Sequence, residues 1–395
     1  MITIFPCACM RQGNVVSDEG VPIPGEAVSS EDGAGGIGEA EISSEEACLW
    51  QDLQKTGELS LSYATQFAVD YYGDDYSLIT ISEGGQYLVV SANAPVPDGL
   101  DADIVVLKQP LDRIYFVSTS AMDLVRAIGG MGNIRLTGTK QQDWYIDAVA
   151  QAMEKGEILY AGKYSAPDYE LILSEGCNLA IENTMIYHTP EVKEQLERMG
   201  IPVLVERSSY EGHPLGRMEW MKLYGVLIGN VAEAEAYYEE QLARVSDVLG
   251  QENTGKTAAF FYVNNNGAVN VRKPGDYVAE MIALAGGCYV PQTLPQEENA
   301  LSTMNMQMEA FYMEAKEADY LIYNSTIEGE LSSIEDLLEK SLLFADFKAL
   351  KNGNVWCTGK NMFQESTGIG DMIVEFHKII TGTAEDEMTY MHRLQ

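Results

Sequence analysis

Tyr169-Glu170-Leu171-Ile172-Leu173, followed by Asn178-Leu179-Ala180-Ile181, reads as a short helix carrying a glutamate and then a buried strand. Met308-Glu309-Ala310-Phe311-Tyr312, followed by Ala318-Asp319-Tyr320-Leu321-Ile322-Tyr323, reads the same way. The two copies lie in different halves of a chain of 395 residues. That length accommodates two domains of roughly 150 residues each. The chain contains no short tandem repeat, so the echo is one of half to half.

Outward from the first copy, strands and helices alternate. Residues 77–81 and 86–90, separated by Glu83-Gly84-Gly85, predict a hairpin, and strands follow at 104–107 and 114–117. A helix over 121–128 stops at Gly129-Gly130; beyond it come a strand at 134–136, helices at 144–153 and 169–174, a strand at 179–181, a helix at 191–199 and a strand at 203–205. Residues 217–249 are helical in pattern with a break at Gly229-Asn230, and 231–249 carry an apolar stripe at Val231, Ala234, Tyr238, Leu242, Val245 and Leu249. A second α/β pattern then starts: strands at 258–263 and 268–271, helices at 277–284 and 308–315, a strand at 320–323, a helix at 334–342, a strand at 354–357 and a helix at 371–380. Such alternation predicts largely parallel sheets covered on both faces.

The net charge of −35 repels phosphate backbones and argues against nucleic acid as a partner. Six cysteines, at 7, 9, 48, 177, 288 and 357, show no metal or redox spacing; Cys177, Cys288 and Cys357 lie in or beside apolar runs and are expected to act as small hydrophobes. No apolar stretch reaches transmembrane length. The first residues have no basic region and too short an apolar run for an intact signal peptide, so the start is expected to be truncated or misassigned. The Ser/Gly/Glu-rich stretch to about residue 47 resembles the tether after a lipidated cysteine, and Cys9 after Ala8 faintly matches a lipobox. Residues 1–52 are accordingly expected to form a disordered acidic tether.

Gly250-Gln251-Glu252-Asn253-Thr254-Gly255-Lys256-Thr257 matches the nucleotide-binding expression G-x-x-x-x-G-K-[ST]. That loop works only where it leaves a strand and opens a helix, so that helix-terminal amides face phosphate. Here a helix ends before it and a strand follows, so Gly250 reads as a helix cap and the rest as a polar turn.

Several further segments carry a family resemblance. Residues 114–124, Ile-Tyr-Phe-Val-Ser-Thr-Ser-Ala-Met-Asp-Leu, look like a first strand, its polar turn and the next helix start. Pro202-Val203-Leu204-Val205 and the late signature Phe347-Lys348-Ala349-Leu350-Lys351-Asn352-Gly353-Asn354-Val355-Trp356 add to it. Together with the two glutamate-bearing helices, these pieces resemble the substrate-binding proteins of ABC importers for iron-siderophore, haem and cobalamin complexes. The resemblance covers roughly residue 103 to the C-terminus; Met122-Asp123 and Cys177-Asn178 depart from its usual Thr-Glu and Pro-Asp, and the hairpin region is an added element. It implies an α/β fold of two Rossmann-like lobes, residues 53–229 and 257–395, joined by a single long helix within 230–256. It further implies a monomeric, non-enzymatic, extracytoplasmic lipoprotein or periplasmic protein with no resident cofactor. Such a protein captures a metal chelate and delivers it to an ABC permease dimer, onto whose arginines Glu170 and Glu309 would dock.

Ligand contacts in such a clamp come from loops at the C-terminal ends of strands. That rule selects Ser118, Thr119, Ser120, Asn183, Arg207 and Tyr210, with His213 and Arg217 nearby, and then Asn265, Arg272, Asn324, Trp356 and Phe363. Arginines weigh most, because a guanidinium binds carboxylates bidentately and the chain holds only 25 basic residues. Bare-metal capture would need converging histidines, whereas His188, His213, His377 and His392 are far apart; His213 could serve only as an axial ligand to haem or a corrinoid. Two rival classes remain: a metal-cofactor biosynthesis enzyme of chelatase or nitrogenase-component type on a related two-lobed fold, which would want cysteine or histidine ligands, and an adhesin or structural lipoprotein that has lost its ligand.

Overall fold

Three main sheets organise the computed structural model, which describes residues 48–293 and 303–395. Residues 1–47, for which a disordered tether is expected and which include Cys7 and Cys9, lie outside the described residues. Packing begins before residue 53: a 3-10 turn at Trp50–Asp52 sets Trp50 against Tyr72, ring centroids 4.7 Å apart.

The first sheet runs β1 (Gly57–Glu58), β2 (Phe67–Tyr72), β3 (Tyr76–Ile81), β4 (Gly85–Val90) and β5 (Ile104–Lys108) in that spatial order. It is antiparallel except between β4 and β5. The hairpin expected from the sequence is β3–β4; β2, in which Phe67 and Val69 point inward and Ala68 outward, adds a strand that the sequence reading does not include.

The second sheet holds β6 (Ile114–Phe116), β7 (Ile134–Thr137) and β8 (Leu159–Tyr160), followed by a small hairpin, β9 (Gly162–Lys163) with β10 (Ala166–Pro167), and then β11 (Leu179–Glu182) and β12 (Val203–Val205). Its order is β12-β11-β6-β7-β8, all parallel. Its helices are α1 (Thr119–Ala127), α2 (Asp147–Glu154), α3 (Tyr169–Ser174) and α4 (Pro190–Arg198). The order reverses at β6, so the loops after β6 and β11 open a crevice at the C-terminal ends of the strands.

Two helices of 15 residues each follow, α5 (Pro214–Ile228) and α6 (Val231–Val245). The expected break is there, with Gly229 in the left-handed region at φ 83°. The expected helix over 231–249 ends at Val245, and what carries the chain from the second sheet to the third is this helix pair rather than one helix. α5 is buried from Pro214 to Leu227 except at Arg217, as expected of a helix apolar nearly all round. Gly216 lets a loop of the first sheet approach it: a Cβ there would lie 2.8 Å from the Tyr63 carbonyl oxygen. Gly250 and Gly255 then take left-handed conformations ahead of a strand, so the P-loop-like sequence is a turn between helix and strand.

The third sheet contains β13 (Thr257–Val263), β14 (Val269–Arg272), β15 (Cys288–Val290), β16 (Thr303–Met306), β17 (Tyr320–Tyr323), β18 (Val355–Thr358) and β19 (Met391–Arg393). Its order is β16-β14-β13-β17-β18-β19, with β15 also on β13; β15, β17 and β18 lie parallel to their neighbours, and β14, β16 and β19 antiparallel. It carries α7 (Tyr277–Leu284), α8 (Met308–Ala315), α9 (Ser325–Glu328), α10 (Ile334–Lys340), α11 (Lys348–Lys351) and α12 (Ile369–Thr381).

One apolar core runs from the first sheet through α5 and α6 to α7 and α12. Separate clusters cover the outer faces of the second and third sheets. Of the cysteines expected to be buried, Cys357 is, while Cys177 and Cys288 are half-buried. No helix among the described residues is long and apolar enough to cross a membrane.

Candidate functional site

The residues at the C-terminal ends of the strands fall into three sets. In the first, a cavity of about 370 Å3 is lined from both parallel-rich sheets. Thr119, which opens α1 just after β6, and Tyr145, between β7 and α2, come from the earlier part of the chain. Tyr262, Arg272, Asn324, Thr326, Lys360, Phe363 and Gln364 come from the later part. Thr119, Arg272, Asn324 and Phe363 were selected from sequence, and the structure brings these four together.

The cavity's chemistry is cationic and aromatic. The Arg272 guanidinium sits 4.9 Å from the centre of the Phe363 ring and 3.3 Å from Asp276 Oδ2. Asp276 is itself fixed, since its other oxygen accepts the Val278 amide as the cap of α7. Lys360 is exposed and has no carboxylate partner among the described residues. Asn324 is buried: its side-chain oxygen accepts from the Thr326 amide and hydroxyl at 3.1 and 2.7 Å, and its backbone N–H donates to the Phe261 carbonyl at 2.7 Å. Its carboxamide therefore holds the first turn of α9 in place beneath the cavity.

The loop 361–368 closes one side. Gln364 bridges to the earlier part of the chain, accepting from the Tyr145 amide and donating to the Asp143 carbonyl, each at 2.8 Å. Beyond it Ser366 donates to the Ser120 carbonyl at 2.6 Å, and the Thr367 amide and hydroxyl donate to the buried Asp123 carboxylate. Ser120 thus takes part through its backbone, holding the wall and not facing the cavity.

A second set of selected residues is used inside the protein. Ser118 is buried and donates to Glu206 at 2.6 Å. Asn183 caps the turn after β11 by accepting from the Met185 amide. Arg207 reaches the correct strand end, yet its guanidinium stacks 4.3 Å over Tyr210 and pairs with Glu83, in the β3–β4 turn, at 3.0 Å. Asn265 is exposed on the β13–β14 turn and donates to Glu328. Trp356 is buried, with Arg393 4.7 Å over its ring.

A third set lies where α5 begins. His213 stacks on Tyr63 at 4.2 Å, its Nδ1 accepts from the Leu215 amide, and burial lowers its pKa. Arg217 lies 4.0 Å over the Tyr277 ring, and that ring meets Phe363 edge-on at 6.4 Å, so this set borders the cavity without lining it. Among the described residues no group of three or more His, Cys, Asp or Glu side chains converges as a metal site would.

A larger cavity, about 490 Å3, lies between the first sheet and the α5–α6 junction, lined by Thr56, Tyr71, Asp75 and Gln109 among others. It is away from the strand ends of the parallel sheet, and no residue of the third sheet reaches it. We therefore place the candidate site in the smaller cavity.

Glu170 and Glu309 are both exposed and occupy the same place, the second residue of α3 and of α8. Neither has a hydrogen bond or ion pair among the described residues.

No family model matches the chain. Two uncharacterized lipoproteins of Methanocaldococcus jannaschii are similar to it, one 24% identical over 312 residues, covering 74% of this chain and 72% of that one. The other is 23% identical over 365 residues, covering 86% and 88%. Among solved structures, a periplasmic heme binding protein from Pseudomonas aeruginosa has a TM-score of 0.55 at 17% identity, over 72% of this chain and 98% of its own. A periplasmic binding protein from Veillonella parvula has a TM-score of 0.56 at 15% identity, over 74% and 98%. A possible iron-binding periplasmic solute-binding protein from Staphylococcus epidermidis has a TM-score of 0.54 at 12% identity, over 69% and 99%. The chain thus has a mixed α/β fold that it shares, across nearly their whole length, with periplasmic substrate-binding proteins.

Proposed function

We propose that this chain is an extracytoplasmic solute-binding protein that captures a metal chelate and hands it to an ABC permease. The observation that carries the reading is the cationic, aromatic cavity lined from both parts of the chain in a protein of net charge −35. Residues 53–229 and 257–395 act as two lobes, α6 between them serves as the hinge, and the chelate lies between Tyr145 and Thr119 on one side and Arg272, Lys360 and Phe363 on the other. The fold shared with periplasmic heme- and iron-binding proteins and the likeness to lipoproteins support the substrate class and an extracytoplasmic place. Acidic groups on the chelate, or its negatively charged oxygen donors, would meet Arg272 and Lys360, and its flat or apolar part would meet Phe363, Tyr262 and Tyr145.

Thermal-shift titration with haemin, cyanocobalamin and ferric siderophores of catecholate and hydroxamate type tests this. One of them should raise the melting temperature saturably. Arg272→Ala should weaken that ligand by about tenfold or more, the worth of one charge-assisted hydrogen bond. Unchanged affinity in Arg272→Ala would place the ligand elsewhere.

Glu170 and Glu309 are the docking contacts on this reading. Two pegs at fixed separation set the orientation of docking, and each weak exposed pair gains from the other through effective concentration. Glu170→Ala and Glu309→Ala should leave chelate affinity within about twofold while permease-stimulated ATP hydrolysis falls severalfold for each. Normal stimulation by both variants would remove the docking assignment; loss of chelate binding would make them cleft residues.

A further inference from the structure

Leu173 is 52% exposed and Met313 69% exposed. Each follows one of the unpartnered glutamates by about one helical turn: Glu170 and Leu173 are spaced i,i+3 on α3, and Glu309 and Met313 are spaced i,i+4 on α8. Residues at these spacings share a helix face. The fold does not use these two side chains, because α3 is anchored through Ile172 and α8 through Met308, Phe311 and Ala315.

The two patches also occupy equivalent places. α3 leads into β11 and α8 into β17, and the first turn of each lies level with the C-terminal ends of its sheet. The Asp168 amide, at the head of α3, donates to the Ala161 carbonyl just past β8. Met306, just ahead of α8, pairs with Val269, which pairs with Val263, the last residue of β13. The same pairing of carboxylate and aliphatic side chain therefore recurs at the cleft end of both parts of the chain.

We infer that each docking contact is composite: a carboxylate that steers and orients, and an aliphatic side chain one turn along that seats in an apolar recess of the partner. The occupant is the permease of the proposed function, on which this inference rests. A patch present twice at equivalent places matches a partner whose surface is itself repeated by two-fold symmetry. A second copy of this chain does not fit, since it would bring carboxylates against carboxylates on a molecule of net charge −35. The division of labour follows from the physics. Exposed charge pairs act over a distance but are weak and screened by salt. Apolar burial is short-ranged and insensitive to moderate salt.

The test uses the full chain with permease–ATPase complexes of the iron-chelate type from its own organism, reconstituted in liposomes. ATP hydrolysis is followed against binding-protein concentration at about 0.05 and 0.5 M salt. Leu173→Ser and Met313→Ser should each raise the half-maximal concentration about fivefold, as loss of a half-buried aliphatic contact implies, and by the same factor at both salt concentrations. Glu170→Ala and Glu309→Ala should act mainly at low salt. Thermal shifts with haemin and cyanocobalamin should match wild type in all four, showing that the variants fold. Leu342→Ser, at an 81% exposed position in the turn after α10, should have no effect. The composite patch is overturned if Leu173→Ser and Met313→Ser stimulate like wild type, or if Leu342→Ser weakens stimulation as much as they do. If only the Leu and Met variants are silent, docking by the glutamates stands; if the glutamate variants are silent too, the docking reading falls with it.

Discussion

Glu219→Ala should lower the stability of the folded chain by about 3–5 kcal/mol, as expected when one partner of a buried charge pair is removed. Glu219 lies in the middle of α5 with no exposed surface, and its carboxylate accepts three consecutive backbone amides, Ser62, Tyr63 and Ala64, at 2.8, 2.8 and 2.9 Å. Lys222, also buried, pairs with it at 2.8 Å and donates to the Ser60 carbonyl at 2.9 Å. Glu211 continues the clamp by accepting the Thr65 and Gln66 amides and the Trp220 indole N–H. Two carboxylates thus accept the five amides of residues 62–66, just ahead of β2, and seal the first sheet to the central helix, at the point where Gly216 lets the backbones meet. Alanine leaves three part-buried amides without their acceptor and the buried Lys222 without its counter-charge. Urea unfolding should show the lower midpoint, and hydrogen exchange should show residues 57–72 losing protection first. A loss of less than about 1 kcal/mol would mean that the turn finds other acceptors and that the clamp is incidental.

That clamp was not legible in the sequence. In the sequence Glu219 is a charge within a mostly apolar helical stretch, and the amides it accepts lie some 155 residues away; local pattern carries no information about such a pairing. What was legible follows from local physics. Glycine at 229 breaks the helical stretch, and a glutamate in the first turn of a short helix recurs before β11 and β17. The strand-end rule found Thr119 and Asn324 because parallel topology fixes where β6 and β17 end; Arg272 ends the antiparallel β14 and Phe363 lies in the loop after β18, and tertiary contacts bring both to the same place. It could not tell which way a side chain turns once there. Arg207 sits at the right end of β12 and is claimed by Glu83, because the added first sheet brings its hairpin tip within reach. Trp356 alternates inward between Val355 and Cys357 and is buried under Arg393. Tyr145, Lys360 and Gln364 reach the cavity from loops whose course is set by tertiary contacts, so no periodicity marked them. Tyr262 could have been found, since alternation along β13 puts it on the face opposite Phe261 and Val263.

Glu182→Gln should leave stability unchanged near pH 4.5 and raise it by roughly 2–4 kcal/mol at pH 8, allowing for some relaxation around the charge. Glu182 is the last residue of β11, with 0% of its surface exposed and neither carboxyl oxygen meeting a hydrogen-bond donor among the described residues. Tyr115 and Tyr169 are near enough to feel its charge, but the Tyr115 hydroxyl donates to the Gly162 carbonyl at 2.7 Å and cannot serve it. Burial without a donor pushes the carboxyl up to about 8 from its ordinary 4.5. The folded state therefore holds a proton that the unfolded chain has already released. Below pH 4.5 both states are protonated and the residue is no burden. As pH rises from 4.5 to about 8 the folded state is progressively disfavoured, and above 8 the loss is complete. Glutamine keeps the shape and never ionises, so it escapes this loss, while its unpaired amide confers no advantage at low pH. Burial also raises the pKa values of Glu365 and Glu375, so both proteins lose some stability over a similar range. The difference between wild type and variant removes that shared part. Urea midpoints measured from pH 4.5 to 8.5 should diverge steadily, with the variant above. Parallel curves would show that a donor reaches Glu182 in solution and that its carboxylate is not isolated.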